Sequence, residues 1–105
     1  MNIKIKGNDY KVEFTFNSFK YLDEFDISVI DEIQNKPFKI ITVCEQLLFG
    51  ALNNNPTKVV TLDIVDAHLE DVLENGDISE LLNTLMELLQ ESNFFKNLQK
   101  KQVEK

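Results

Sequence analysis

Residues 38–52 read FKIITVCEQLLFGAL, and this stretch decides the fold. Seven of its apolar residues recur at helical spacing and form one stripe, which consists of Ile40, Ile41, Cys44, Leu47, Leu48, Ala51 and Leu52. Phe38, Val43 and Phe49 lie off that stripe, so that Thr42, Glu45 and Gln46 remain as positions for solvent. A helix that is apolar around most of its circumference is usually buried. The pattern therefore predicts a central helix over residues 38–52.

An acidic amphipathic helix is predicted after the central one, over residues 58–74. Asn53-Asn54-Asn55-Pro56 ends the central helix as a loop, and Thr57 or Thr61 caps the next one. The inward positions are Leu62, Val65, Leu69, Val72 and Leu73, and the outward positions are Asp63, Asp66, Glu70 and Glu74. Asn75-Gly76 predicts a left-handed cap at its end.

The last third of the chain predicts one long amphipathic helix over residues 78–101. Asp77, with Glu80 three residues later, has the spacing of a capping box. An apolar stripe follows at spacings of three and four, made of Ile78, Leu81, Leu82, Leu85, Leu88, Leu89 and Phe95. We expect the part up to Leu89 to pack on the central helix.

The first third of the chain predicts a β-hairpin over residues 2–16 and then one or two short helices over 18–34. Apolar and charged residues alternate on both sides of Gly7-Asn8-Asp9, residues that tolerate a turn. Asn17 or Ser18 is a candidate cap for the first helix and Ser28 for a second. A lone hairpin is only marginally stable in water, so its apolar face should pack on the helices.

Together these elements predict an α+β fold in a single domain, residues 1–105. An N-terminal β-hairpin precedes a mainly α-helical bundle of four to five helices. The chain has 105 residues, of which 43% are hydrophobic and 28% charged, and this composition is typical of one globular domain.

Charge, cysteine content and apolar run length indicate which classes of partner and which compartment to expect. The net charge is −7, and the chain has lysines but no arginine, which argues against nucleic acid as a partner because phosphate contacts need clustered cations. A single cysteine, Cys44, indicates a core residue in a reducing compartment. No apolar run approaches the roughly 18 residues of a membrane span, so no membrane partner is expected.

The residue types of an active or metal site do not come together in the sequence. Asp63, Asp66 and Glu70 share a helix face near His68, but a solvated helix face explains them more simply. A calcium loop centred on Gly76 would place leucines at two ligand positions. Cys44 and His68 lie on different predicted helices, with no third orienting group. We therefore expect no enzyme, no catalytic residues, no metal and no cofactor.

Binding surfaces are predicted at the two ends of the chain. Met86, Phe94 and Leu98 fall off the apolar stripe, and with Phe95 they are the predicted partner-binding residues. Self-association is predicted at the hairpin edges, which carry Ile3, Ile5, Val12 and Phe14. Residues 1–20 and 96–105 are net basic, whereas residues 21–95 are strongly acidic, which favours end-to-body contacts between copies. The alternative is that these lysines only keep strand edges and the helix end soluble.

A resemblance to a known family rests on the order of these features. The features are the opening IKIKGNDY at 3–10, Phe14-x-Phe16-Asn17, an entry helix with Phe19 and Leu22, a central helix ending in Ala51-Leu52, Asn55-Pro56-Thr57, an acidic helix, and Ser92-Asn93-Phe94-Phe95-Lys96. This order resembles the tail assembly chaperones of long-tailed, siphovirus-type phages and prophages of Gram-positive bacteria. The resemblance extends over nearly the whole chain and consists of patterns of residue types.

The resemblance implies a function without catalysis. Such a chaperone coats the tape measure protein during tail construction, keeps its long helices soluble and leaves as the major tail protein polymerises. It also implies a homo-oligomer in the cytoplasm of the host bacterium that is not part of the mature virion. The alternative class is an acidic, phage-encoded inhibitor or antitoxin-like protein that mimics nucleic acid, although the acids here concentrate on one helix.

Overall fold

The hairpin and the helices behind it are the two parts of an α+β fold, as the sequence predicts. The computed structural model describes residues 1–93 and 95–97. Its elements, in chain order, are β1 (Asn2–Ile5), β2 (Asn8–Lys11), α1 (Phe16–Lys20), a 3₁₀ helix (Ile27–Gln34), α2 (Lys39–Leu52), α3 (Leu62–Asn75) and α4 (Ile78–Glu91).

Helix α2 is the centre of the fold. It contacts both α3 and α4, the two short helices and β2, and its residues Val43, Cys44, Leu47, Leu48 and Ala51 are fully buried. The predicted bounds of the central helix agree with the structure to within one residue. Phe38 differs, because it is the N-cap residue and its side chain is 85% exposed. A cap precedes the first helical turn, so its side chain can project beyond the core.

The hairpin is shorter than predicted. β1 and β2 pair antiparallel with Ile3 opposite Tyr10, and the turn is made by Lys6 and Gly7, whose φ angles of 50° and 82° fit a type I′ turn. Asn8 and Asp9 therefore belong to β2 and not to the turn. The Val12 N–H donates to the Met1 carbonyl, but the Glu13 N–H donates to the Ala51 carbonyl of α2.

The predicted strand over residues 13–16 is wrong because the chain turns into α1. Thr15 is the N-cap of this helix and forms a capping box with Ser18, so neither Asn17 nor Ser18 is the cap. Phe16 begins α1 and is 60% exposed. The second short helix is separate, and Asp26, not Ser28, caps it by accepting from the Ser28 N–H at 2.9 Å.

The ends of α3 and α4 differ from the prediction. Helix α3 begins at Leu62, four residues later than expected, and Gly76 has a φ of −133°, so the left-handed cap is absent at this position. Asp77 caps α4, as predicted, by accepting from the Ser79 and Glu80 N–H groups.

The predicted single helix over 78–101 is interrupted at Ser92. This residue has φ −68° and ψ 138°, which is extended backbone, and its hydroxyl donates to the Leu89 carbonyl at 2.8 Å. The same oxygen accepts from the Phe95 N–H at 3.2 Å, and helical backbone resumes at Asn93 and 95–97. The end of the predicted helix, over 98–101, lies outside the described residues.

A joint of asparagine side chains connects the hairpin, α1, α2 and the loop before α3. Asn53 is fully buried; its amide nitrogen donates to the Phe49 and Val60 carbonyls, and its amide oxygen accepts from the Val60 N–H at 2.8 Å. Asn54 donates to the Lys11 carbonyl at 2.7 Å and to the Ala51 carbonyl at 2.9 Å. The stretch predicted as a plain loop is therefore the main polar connection of the fold.

Candidate functional site

A groove lies between the hairpin and the end of α4, and we call it the terminal groove. Its volume is about 420 Å³, and its lining consists of Met1, Lys11, Val12, Glu13, Phe14, Leu88, Glu91, Ser92 and Asn93. Lys11 and Glu13 form an ion pair of 3.0 Å at this groove. The interruption of α4 at Ser92 places Asn93 beside the hairpin. The terminal groove therefore combines apolar side chains with a charged border.

The predicted partner-binding residues fall into two groups. Met86 and Phe95 are half-buried and pack against the hydrophobic core, so neither is a free anchor in the described structure. Phe94 and Leu98 lie outside the residues whose side chains are described. Phe95 was predicted to be both on the apolar stripe and available to a partner, and the structure places it against the core.

The residues predicted for self-association are mostly interior. Ile5, Val12 and Phe14 belong to the core, and Ile3 is half-buried against it. The part of the hairpin with which another copy could still pair is the backbone edge of β1. Because Val12 donates to Met1, the alternation of an antiparallel pair directs the backbone groups of Asn2 and Lys4 outward. On the other edge, the Lys11 carbonyl already accepts from Asn54.

A second groove lies between the end of α1, α2 and the start of α3, and we call it the acidic groove. It has a volume of about 240 Å³ and is lined by Tyr21, Asp23, Glu24, Phe25, Glu45, Gln46, Phe49 and Leu62. The Tyr21 and Phe49 rings meet edge to face, with centroids 5.1 Å apart. Leu62 is 47% exposed, although the sequence pattern predicted an inward position for it.

Two carboxyl groups meet at the border of the acidic groove. Glu45 of α2 hydrogen-bonds to Asp66 of α3, and this contact, with partial burial and the Asp66 charge, raises the pKa of Glu45. No motif in the sequence marks the groove. The one feature of the sequence that could have indicated the groove is Glu45, which is one of three polar positions left for solvent on an otherwise apolar helix.

His68 and Cys44 do not form a pair that suggests catalysis. His68 is half-buried beside Lys4, Lys6 and Asp71; burial lowers its pKa, an effect that the Asp71 charge opposes in part. Burial raises the pKa of the Cys44 thiol to about 12, so this group stays protonated and weakly nucleophilic. Among residues 1–93 and 95–97, no three His, Cys, Asp or Glu side chains are grouped so that they could hold a metal ion.

Comparisons with protein-family models, curated proteins and solved structures find no match. In the described part of the chain, every helix is too short or too polar to cross a lipid bilayer.

Several apolar side chains outside the two grooves are also exposed. Phe38 and Val59 are the most exposed of them, at the start of α2 and in the loop before α3, and Leu73 lies near the end of α3. The sequence pattern predicted Leu73 to face inward, but only Val65 and Leu69 of α3 are buried. The helix packs on α2 through a narrower stripe than its apolar residues suggest.

Proposed function

We propose that this chain is a tail assembly chaperone that binds the tape measure protein and keeps it soluble while a phage tail is built. It acts in the cytoplasm of the host bacterium, self-associates, and leaves as the major tail protein polymerises, so that it is not part of the mature virion. It acts by binding and catalyses no reaction.

The observation that carries this proposal is the terminal groove. Its lining combines the apolar residues Met1, Val12, Phe14 and Leu88 with the charged residues Lys11, Glu13 and Glu91. In the sequence, Phe94 and Leu98 follow its last lining residue, Asn93. A helical client presents apolar residues along one face, and such a face binds in an apolar groove. The order of elements, a hairpin followed by a helical bundle, also agrees with the resemblance noted in the sequence.

The test is co-expression with the tape measure protein of the phage or prophage that encodes the chain. The native chain is expected to hold the tape measure protein in the soluble fraction and to co-purify with it. The double variant Phe94→Ser/Leu98→Ser is expected to bind it roughly tenfold or more weakly, the loss typical of removing central apolar anchors.

Phe38→Ser is the matched control, because Phe38 carries an exposed phenyl ring at the start of α2, outside the terminal groove. It is expected to bind as the native chain does. Unchanged co-purification of the double variant would contradict the role of these anchors, and a native chain that leaves the tape measure protein insoluble would contradict the proposed function.

A further inference from the structure

The acidic groove has an apolar floor and an anionic border that the described residues do not neutralise. Tyr21, Phe49 and Leu62 all present exposed or half-exposed apolar surface there. Among the described residues, the ion pairs are Lys11 with Glu13 and Lys39 with Glu32, and neither uses a carboxylate of this groove. A segment that is both cationic and apolar would therefore complement the groove.

The contact between Glu45 and Asp66 supports the same conclusion. Two carboxylates of like charge at hydrogen-bonding distance repel each other unless a proton or a cation lies between them. The contact with Asp66, partial burial and the Asp66 charge disfavour the charged form of Glu45 and so raise its pKa. An incoming ammonium group would offset this repulsion by pairing with both carboxylates.

The chain carries a segment of this chemistry at its own end. Residues 96–105, here called the lysine-rich tail, contain Lys96, Lys100, Lys101 and Lys105 against the single acid Glu104. Leu98 and Val103 add apolar side chains to it. The eight residues after Asn97 reach about 26 Å when extended, which is enough to cross a groove bounded by two helices about 10 Å apart.

The placement of α4 favours the tail of another copy. Helix α4 packs on the face of α2 that carries Cys44, whose sulfur lies 4.0 Å from the Ile78 carbonyl. Glu45 lies about 100° further round α2. The end of α4 borders the terminal groove, which shares no lining residue with the acidic groove. The tail thus follows a part of the molecule other than the one that forms the acidic groove.

We propose that the lysine-rich tail of one copy docks in the acidic groove of a second copy. The tail lysines pair with the carboxylates of Asp23, Glu24, Glu45 and Asp66, and Leu98 and Val103 cover the apolar floor. The tail and the groove are different surfaces. When the tail of one copy occupies the groove of a second, the first copy keeps a free groove and the second a free tail, so further copies can add head to tail. This contact needs no client, so it stands or falls separately from the proposed function.

The test is a charge exchange measured by light scattering on the purified full-length chain without a client. The groove variant is Asp23→Lys/Glu24→Lys/Glu45→Lys, and the tail variant is Lys100→Glu/Lys101→Glu/Lys105→Glu. The average mass of the native chain is expected to rise with concentration, whereas each variant alone stays at the mass of a single chain. An equimolar mixture of the two variants is expected to associate again, because each then supplies a complementary surface to the other.

A matched control separates the groove from net charge. Glu70→Lys/Glu74→Lys/Glu87→Lys makes the same change in charge at exposed positions outside both grooves and is expected to associate as the native chain does. Circular dichroism checks that every variant is folded. A native chain that stays a single chain at all concentrations, a control that loses association as fully as the groove variant, or a mixture that does not associate would overturn the proposal.

Cross-linking distinguishes a second copy from the chain's own tail. Cys44 is buried with a raised pKa and stays out of the reaction, so new cysteines report alone. Mild oxidation of a mixture of Gln46→Cys and Gln102→Cys chains is expected to give a disulfide-linked dimer. If the chain that carries both substitutions instead closes an internal disulfide at high dilution and the mixture gives no dimer, the tail fills its own groove and the proposal is wrong.

Discussion

Asn53 shows how much one side chain contributes to this fold. Its amide satisfies two carbonyls and one N–H group inside the protein, at Phe49 and Val60. The backbone carbonyl of Asn53 accepts from the Asn17 side-chain amide at 2.8 Å, and this bond connects α1 to the end of α2. An asparagine side chain suits this position, because its amide nitrogen can donate two hydrogen bonds and its amide oxygen can accept one. The sequence shows only three consecutive asparagines, and nothing in that pattern distinguishes the buried one.

We expect Asn53→Ala to lower the free energy of unfolding by about 3 kcal/mol, because it leaves buried backbone groups without partners. The measurement is urea unfolding followed by circular dichroism. Asn55→Ala is the control, since Asn55 is exposed and its side chain accepts from the Thr57 N–H and hydroxyl; it is expected to cost less than about 1 kcal/mol. Equal losses at the two positions would contradict the assigned role of Asn53.

Gly50 is required by a close approach inside α2. A Cβ atom at this position would lie 2.8 Å from the Leu22 Cγ, which is too close without a shift of that buried side chain. Gly50→Ala gains about 1 kcal/mol of helix propensity, but overpacking costs about 1–3 kcal/mol. We therefore expect a net loss of stability in thermal unfolding. Leu22→Ala should cost less in the Gly50→Ala background than in the native chain, and additive losses would argue against the clash.

The pair of Glu45 and Asp66 makes stability depend on pH. The pKa of Glu45 is raised in the folded chain, so the folded state holds its proton more tightly than the unfolded state does. The contribution of this group to the free energy of unfolding is thus present below its ordinary pKa and is lost as pH rises through the raised value.

We expect Glu45→Gln to remove this dependence, because a glutamine amide can donate to Asp66 at any pH. The stability of the variant relative to the native chain is therefore expected to rise as pH is raised above 4.5, the ordinary pKa of a glutamic acid. Chemical unfolding at a series of pH values measures it. Glu74→Gln, at an exposed position on the same helix as Asp66, is the matched control, and a similar profile for both variants would contradict the pairing.

At the scale of the elements, an inward and an outward N–H group of the hairpin respond differently to proline. The Val12 N–H donates within the hairpin to the Met1 carbonyl at 2.8 Å, whereas the Lys4 N–H points outward. We expect Val12→Pro to destabilise the chain clearly in thermal unfolding and Lys4→Pro to do so much less, because proline is tolerated where a strand N–H faces solvent.

Lys4→Pro also tests strand pairing between copies, because it removes an outward donor and leaves the hairpin in place. If copies pair through β1, the oligomer measured by light scattering shrinks in this variant. If association is unchanged, the edge of β1 is not the interface, and the contact between the lysine-rich tail and the acidic groove is left to account for it.

The sequence predicts the elements well where apolar spacing is strong and poorly where side chains bond to the backbone. The spacing in α2 locates the central helix almost to the residue, because burial on most of its circumference leaves little choice. Thr15, Asp26 and Ser92 change the boundaries instead, since short polar side chains compete with the backbone for hydrogen bonds. Apolar spacing continues across Ser92 to Phe95, so the interruption of α4 leaves no mark in the periodicity.

At the scale of the whole molecule, the grooves were harder to predict than the elements. The basic ends and acidic body are visible in the sequence, but the acidic groove draws on residues 21–25, α2 and Leu62, which only tertiary packing brings together. The expected availability of Phe95 failed for the same reason, because the bend at Ser92 returns its ring to the core.

The contact of Phe95 with the core predicts that two truncations behave differently. A chain ending at Asn97 retains all the described contacts of Phe95, whereas a chain ending at Glu91 loses its partly buried ring. We expect the shorter chain to be less stable by about 1–2 kcal/mol in urea unfolding and the longer one to match the full chain. Equal stability of both would contradict the packing of Phe95, and only the longer truncation is suitable for binding assays.

The asparagine joint also sets the order in which the chain can fold during its synthesis. The hairpin leaves the ribosome before α2, and the Asn54 side chain that donates to the Lys11 carbonyl comes 43 residues after Lys11. At about 5–20 residues per second, that interval lasts roughly 2–9 s. A hairpin of two four-residue strands has little stability alone. The two strands therefore wait for α2 and the joint, and they stay open to pairing with other chains during that time.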